Sequence, residues 1–125
     1  MRKLYVAIAF LVISIGLCTY EQITLYNIYE KTISSIEEIL DSALAEDYKG
    51  AEKACDDLIN YWNKNYIFMS STIDHGLLDD TSVTINSLDE YIKNNSDELE
   101  NQLITVKNEI NNIYNNQKLS FGNVF

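Results

Sequence analysis

The apolar positions divide the chain into two kinds of pattern. From Leu4 to Tyr20 no residue is charged, and apolar side chains fall on every side of a helix drawn through them. From Glu21 onward apolar residues recur at spacings of three and four among charged ones, the period of a helix with one buried face. The first pattern suits surroundings that are apolar all round, and the second suits a helical bundle in water.

Seventeen residues at 1.5 Å of rise give roughly 25 Å of helix, the short end of what crosses a hydrocarbon core. Nine of them are Leu, Ile, Val or Phe, together worth about −4 kcal/mol toward insertion. Ser14, Gly16 and Thr19 reduce that figure without reversing it, and Tyr5 and Tyr20 stand where amphipathic rings favour the headgroup boundary. Arg2 and Lys3 precede the stretch, Glu21 follows it, and no basic residue returns until Lys31. The positive-inside bias therefore predicts a cytoplasmic amino end and an exported carboxyl end.

Other readings of this segment fit less well. A cleaved secretory signal needs a small-x-small site, and Gly16-Leu17-Cys18-Thr19-Tyr20-Glu21 offers bulky Leu17 and Tyr20 instead. A lipoprotein signal needs a small residue before its cysteine, where Leu17 stands before Cys18. The expectation is a signal-anchor: residues 1–20 as a single transmembrane helix, residues 4–20 in the lipid bilayer, and residues 21–125 as an acidic extracytoplasmic helical domain. Ser14 and Cys18 form one small-xxx-small pair, which leaves a homo-oligomer open, although ordinary lipid-facing residues give the same spacing.

Beyond the anchor, the pattern predicts an all-α fold in which the transmembrane helix continues into an antiparallel bundle of about four helices. The first seam runs Tyr26, Tyr29, Ile33, Ile36, Leu40 and Ala43, widened by Ile28, Ile39 and Leu44. A break follows at Asp47-Tyr48-Lys49-Gly50, with Asp47 as a cap. A second helix from about 48 to 70 carries Ala51, Cys55, Leu58, Trp62, Tyr66 and Met69 on one face. Gly76 is expected to take a positive φ and end it near Ile73-Asp74-His75. A third helix, about 78 to 94, uses Leu78, Ile85, Leu88 and Ile92, and a fourth uses Leu99, Leu103, Val106, Ile110 and Ile113. Asn95 with Glu98 has the form of a capping box, and the apolar end Leu119 to Phe125 is expected to fold back onto the bundle.

Charge and composition exclude more than they identify. Two of the nine basic residues are Arg2 and Lys3, so from Glu21 onward seven face nineteen acidic ones, a net charge near −12. Such a surface repels phosphate backbones and anionic headgroups, which argues against nucleic-acid binding. Cys18 lies in the apolar segment and Cys55 in a helix, so no disulfide framework is expected and stability rests on packing.

Candidate chemistry is sparse. His75 is the only histidine, with Asp74 beside it and Asp79 one turn on. Such an arrangement more often satisfies a helix junction than serves as an acid–base pair. One histidine with scattered carboxylates lacks the ligand spacing of zinc or calcium sites, and no Gly-rich phosphate loop or nucleophile motif is present. No catalytic residue, cofactor or metal is predicted, and the chain is read as not an enzyme. Trp62 is expected as the largest core anchor, or, if exposed, as a partner-binding residue. Trp62, Tyr66, Asp74, His75 and Asp79 thus form the candidate interaction patch or structural junction.

Several of these features occur together in one family. The basic-apolar start, Asp47-Tyr48 with Ala51 and Ala54, Trp62, Ile73-Asp74-His75 with Asp79, Ser87-Leu88, and the closing Leu119-Ser120-Phe121-Gly122-Asn123-Val124-Phe125 resemble domain of unknown function 4363. This is a family of bacterial membrane-anchored proteins without assigned activity. The chain departs from it with Tyr48 where Trp is common and Gly122 where an acid is common. The resemblance implies an anchored helical domain with no cofactor or assigned site. It also implies a partner class, since members are often encoded beside small multi-pass membrane proteins. The expected role is therefore an interaction or accessory module for another membrane protein, with a cation- or pH-responsive sensor or sequestering domain as the alternative.

Overall fold

A computed structural model describes residues 1–94 and 97–124 of the chain, with side chains described through Asn116. Four helices follow one another: α1 (Arg2–Leu44), α2 (Tyr48–Ser70), α3 (His75–Lys93) and α4 (Leu99–Val124). Each packs on its sequence neighbours, and α4 closes the ring against α1. Among the described residues neither diagonal pair brings Cα atoms within 8 Å. Cross-helix bonds run in opposite sequence order, Trp62 to Ser82 and Tyr66 to Asp79 between α2 and α3, so neighbours are antiparallel. This is the expected all-α bundle, and its short connections leave no other arrangement of neighbours within reach.

One helix of 43 residues forms both the bare segment and the first bundle helix. Residues 2–17 are exposed throughout, and burial begins at Leu25. The buried face of α1 then runs Leu25, Ile28, Thr32, Ser35, Ile36 and Ile39. This corrects the expected seam. Tyr26 and Leu44 are exposed, and Tyr29, Ile33, Leu40 and Ala43 only flank the core. The stripe turned because Thr32 and Ser35 occupy its centre, and a reading of apolar spacing passes over polar residues. On α2, α3 and α4 the expected apolar residues are buried, except Tyr66, which is half-buried.

The corners differ from expectation in how they turn. α1 ends with Glu46 in the left-handed region at φ 60. The Glu46 amide donates to the Ala43 carbonyl and the Asp47 amide to the Ser42 carbonyl. These two bonds close the last turn of α1 as a Schellman motif with Glu rather than Gly at its left-handed position. Gly50 lies inside α2, where its N–H donates to the Asp47 carboxylate at 3.0 Å, so Asp47 caps the helix as expected. Gly76 corrects the reading at the second corner. No described glycine has a positive φ, and Gly76 belongs to the first turn of α3. Its N–H donates to the Asp74 side chain, so Gly76 starts a helix where it was expected to end one. The Asn95 member of the expected capping box lies outside the described residues. At the carboxyl end α4 continues as helix to Val124, so the residues expected to fold back onto the bundle are, as far as Val124, the last turns of that helix. The side chains from Gln117 onward, and Phe125, lie outside the described residues.

Candidate functional site

The predicted site residues gather along the seam between α2 and α3 and at the corner joining them. Trp62 sits deepest. It is 1% exposed, and its Nε1 donates to Ser82 Oγ at 2.9 Å, which supplies the partner a buried indole N–H needs. One turn on, the half-buried Tyr66 donates its hydroxyl to Asp79 Oδ1 at 2.7 Å. That bond to a carboxylate is the main cause holding the Tyr66 phenol above its ordinary pKa, because ionisation would set two negative charges together. On the outer side Asn63 Nδ2 donates to Asn86 Oδ1 at 3.2 Å. Three polar rungs therefore join α2 to α3.

The corner is built by Asp74. Its Oδ1 accepts from the Gly76 amide at 2.9 Å and the Leu77 amide at 3.3 Å, which satisfies two of the unpaired N–H groups at the start of α3. His75 is the first residue of that helix and is exposed. It is not brought onto Asp79, whose Oδ1 accepts from Tyr66 across the helix seam. Four of the five site residues thus have structural partners, and His75 alone presents its side chain to solvent without one. Chemically, the arrangement offers an exposed imidazole next in sequence to a carboxylate, Asp74, that is already bonded to the α3 amides. Among the described residues no group of three or more His, Cys, Asp or Glu is placed to hold a metal ion.

Position gives the corner its interest. Met69 and Ile73, at the end of α2 and in the corner, share a cavity with Gln22 and Leu25 of α1. The Asp74-His75 corner therefore lies at the end of the bundle where the bare half of α1 emerges. Ile67, in the last turn of α2, adds a large apolar side chain that is 81% exposed at the same end.

Three features escaped the sequence reading. Tyr26, Tyr29 and Tyr114 form an aromatic cluster, Tyr29 stacked on Tyr114 at 4.5 Å between centroids, with the Tyr29 hydroxyl on Asn111 Oδ1 at 2.6 Å. Glu109 of α4 receives the Thr81 hydroxyl at 3.2 Å and the Thr84 hydroxyl at 3.0 Å. Thr32 lies fully buried in the core with an unpaired hydroxyl. The only sequence signal for the last was a polar residue four positions from both Ile28 and Ile36. Cys55 is buried and free. Burial, reinforced by the nearby Asp89 carboxylate, pushes its thiol up to about 12, so it is an inert core residue at neutral pH.

The family model described as Domain of unknown function (DUF4363) matches residues 19–124. The chain belongs to that family, and the matched region takes in the whole bundle, starting where the bare part of α1 ends. No curated protein and no solved structure matches it.

Proposed function

We propose that this DUF4363 chain is a single-pass membrane protein whose acidic bundle stands outside the cytoplasm and acts as an interaction or accessory module, without catalysis of its own. The observation that carries the reading is the division of α1. One half is apolar on every side and uncovered by protein, long and apolar enough to cross a membrane. The other half is one of the four helices of the bundle. A continuous helix ties the orientation of the bundle to that of the anchor, since no hinge lies between them. The Asp74-His75 corner and Ile67 then stand near the membrane surface, within reach of the outer loops of a multi-pass partner. That Asp74, Tyr66 and Asp79 have structural partners supports a stable docking surface rather than a reacting site.

Two measurements in living cells test this. A reporter fused after Phe125 that is active only outside the cytoplasm is expected, and a reporter active only in the cytosol would reverse the orientation. A photo-crosslinker placed at Ile67 or His75 is expected to give one discrete adduct with a membrane protein. Adducts spread over bulk protein would remove the accessory role.

A further inference from the structure

α4 runs on past the end of the bundle it belongs to. α2 ends at Ser70 and α3 begins at His75, and at that end Met69 and Ile73 share a cavity with Leu25, Ile113 and Tyr114. α4 continues from there as helix to Val124, ten residues past Tyr114 and about 15 Å farther. Of the other three helices only α1 extends in that direction.

The register of α4 on α1 says where the overhang goes. Lys107 pairs with Glu37 at 3.4 Å, and two turns on Tyr114 stacks on Tyr29 and lies against Tyr26. The two helices are therefore antiparallel and advance together. Carried on at the same rise, that register sets Phe121 about level with Tyr20 and Val124 about level with the turn from Gly16 to Thr19. This is the outer end of the uncharged stretch that α1 leaves bare.

The sequence of the overhang suits that level. None of the nineteen acidic residues lies beyond Glu109, and Lys118 is the only charged side chain from Ile110 to Phe125. Anionic headgroups repel the rest of the bundle but have nothing to repel here. Phe121 follows Ile110 by eleven residues, as Val124 follows Ile113, which is three turns to within about 20°. The apolar seam that is buried at Ile110 and Ile113 thus continues beyond the reach of α2 and α3. The helix end limits the depth. Carbonyls of the last turn have no partner inside the helix and would stay unpaired in hydrocarbon, whereas water reaches them at the headgroup boundary.

We propose that the last turns of α4 enter the headgroup boundary of the membrane beside α1, as a second lipid contact. α1 alone sets the height of the bundle above the membrane. A second contact also sets its tilt and stops it turning about the α1 axis, so the α2–α3 corner keeps one face toward a partner. The proposal rests on the anchored reading of α1.

Quenching of tryptophan by brominated lipid tests it in the full chain reconstituted in vesicles. The only natural tryptophan, Trp62, is buried in the bundle, and its emission is expected to be unchanged by bromine and to serve as the baseline. Added to that background, Phe121→Trp is expected to lose emission, more with bromine near the glycerol end of the acyl chains than with bromine near the bilayer centre. Val12→Trp, within the bare half of α1, is expected to show the opposite depth order. Asn108→Trp, exposed on the bundle part of α4, is expected to stay at the baseline. Val124→Trp repeats the measurement if Phe121→Trp lowers helix content. A quenched Val12→Trp with Phe121→Trp and Val124→Trp both at the baseline would overturn the proposal and leave the anchor standing. An unquenched Val12→Trp would remove the anchor and the proposal together. Equal quenching at Asn108→Trp would overturn the proposal too, because it would mean that the whole of α4 lies along the membrane.

Discussion

The two halves of α1 share one unbroken backbone and differ in almost everything else. In the bare half Val12 and Ile13 are 63% and 59% exposed, while in the bundle half Ile36 and Ile39 are 2% and 0% exposed. Both halves are rich in isoleucine, so their apolar content alone does not separate them. Arrangement does. Apolar residues on every side leave a helix no face to turn to water, whereas a stripe leaves charged residues such as Glu37, Glu38 and Asp41 on the outside. Helix formation by itself says nothing about which medium a segment occupies, and the angular spread of its apolar residues says a great deal.

The sharpest way to break this comparison is to make one substitution on both sides of it. Ile39→Ala is expected to cost the bundle about 2–5 kcal/mol, because it opens a hole in a packed core. Ile13→Ala should leave the thermal unfolding of the bundle unchanged, since no protein packs there. A large loss from Ile13→Ala would mean that the bare half is packed in the working protein. The next effect reverses the target. Val12→Arg is expected to cost about 3 kcal/mol of membrane insertion, read as release of the chain from the membrane fraction, while the unfolding of the bundle is unaltered.

Effects of about 1 kcal/mol are expected at the corners. Glu46→Gly relieves a left-handed residue that a side chain disfavours, and should raise stability by about 1 kcal/mol in chemical denaturation. Asp74→Ala, which strips two amides of their acceptor, should lower it by about 1 kcal/mol. Near neutral pH the smallest effect is that of Cys55. Its thiol is raised from 9.0 to about 12 by burial, so near neutral pH, well below 9, it is protonated in both the folded and unfolded chain and contributes no slope. Between about pH 9 and 12 the unfolded chain loses this proton first, and stability falls as pH rises. Tyr61, raised by burial, and Lys93, raised by its bond to Asp89, act in the same direction. A melting temperature that held steady from pH 9 to 11 would contradict the buried thiol.

Much of the architecture was legible because it depends on periodicity along one strand of sequence. The limits of α2, the Asp47 cap and the seam of α4 are all local patterns of spacing and end chemistry, and the structure reproduces them. What escaped depends on relations between helices. Thr32 and Ser35 are buried because of what faces them, not because of what they are. The pairing of Asp79 with Tyr66 rather than His75 was set by the register of α3 on α2, which no spacing within either helix encodes. The left-handed turn fell at Glu46 while the glycines at 50 and 76 were absorbed into helices. A glycine permits such a turn but does not require it.

The surroundings of α1 change partway along the helix, and a nitroxide scan tests that change most directly. Single spin labels placed at every position from Val6 to Leu40 in lipid-reconstituted chain would be read for collision with oxygen and with a water-soluble nickel reagent. The expected profile is high oxygen and low nickel accessibility without helical period from Val6 to about Cys18, then protection with a 3.6-residue period from Leu25 onward. Nickel accessibility across Val6–Cys18, or a 3.6-residue period of protection extending through it, would contradict the claim.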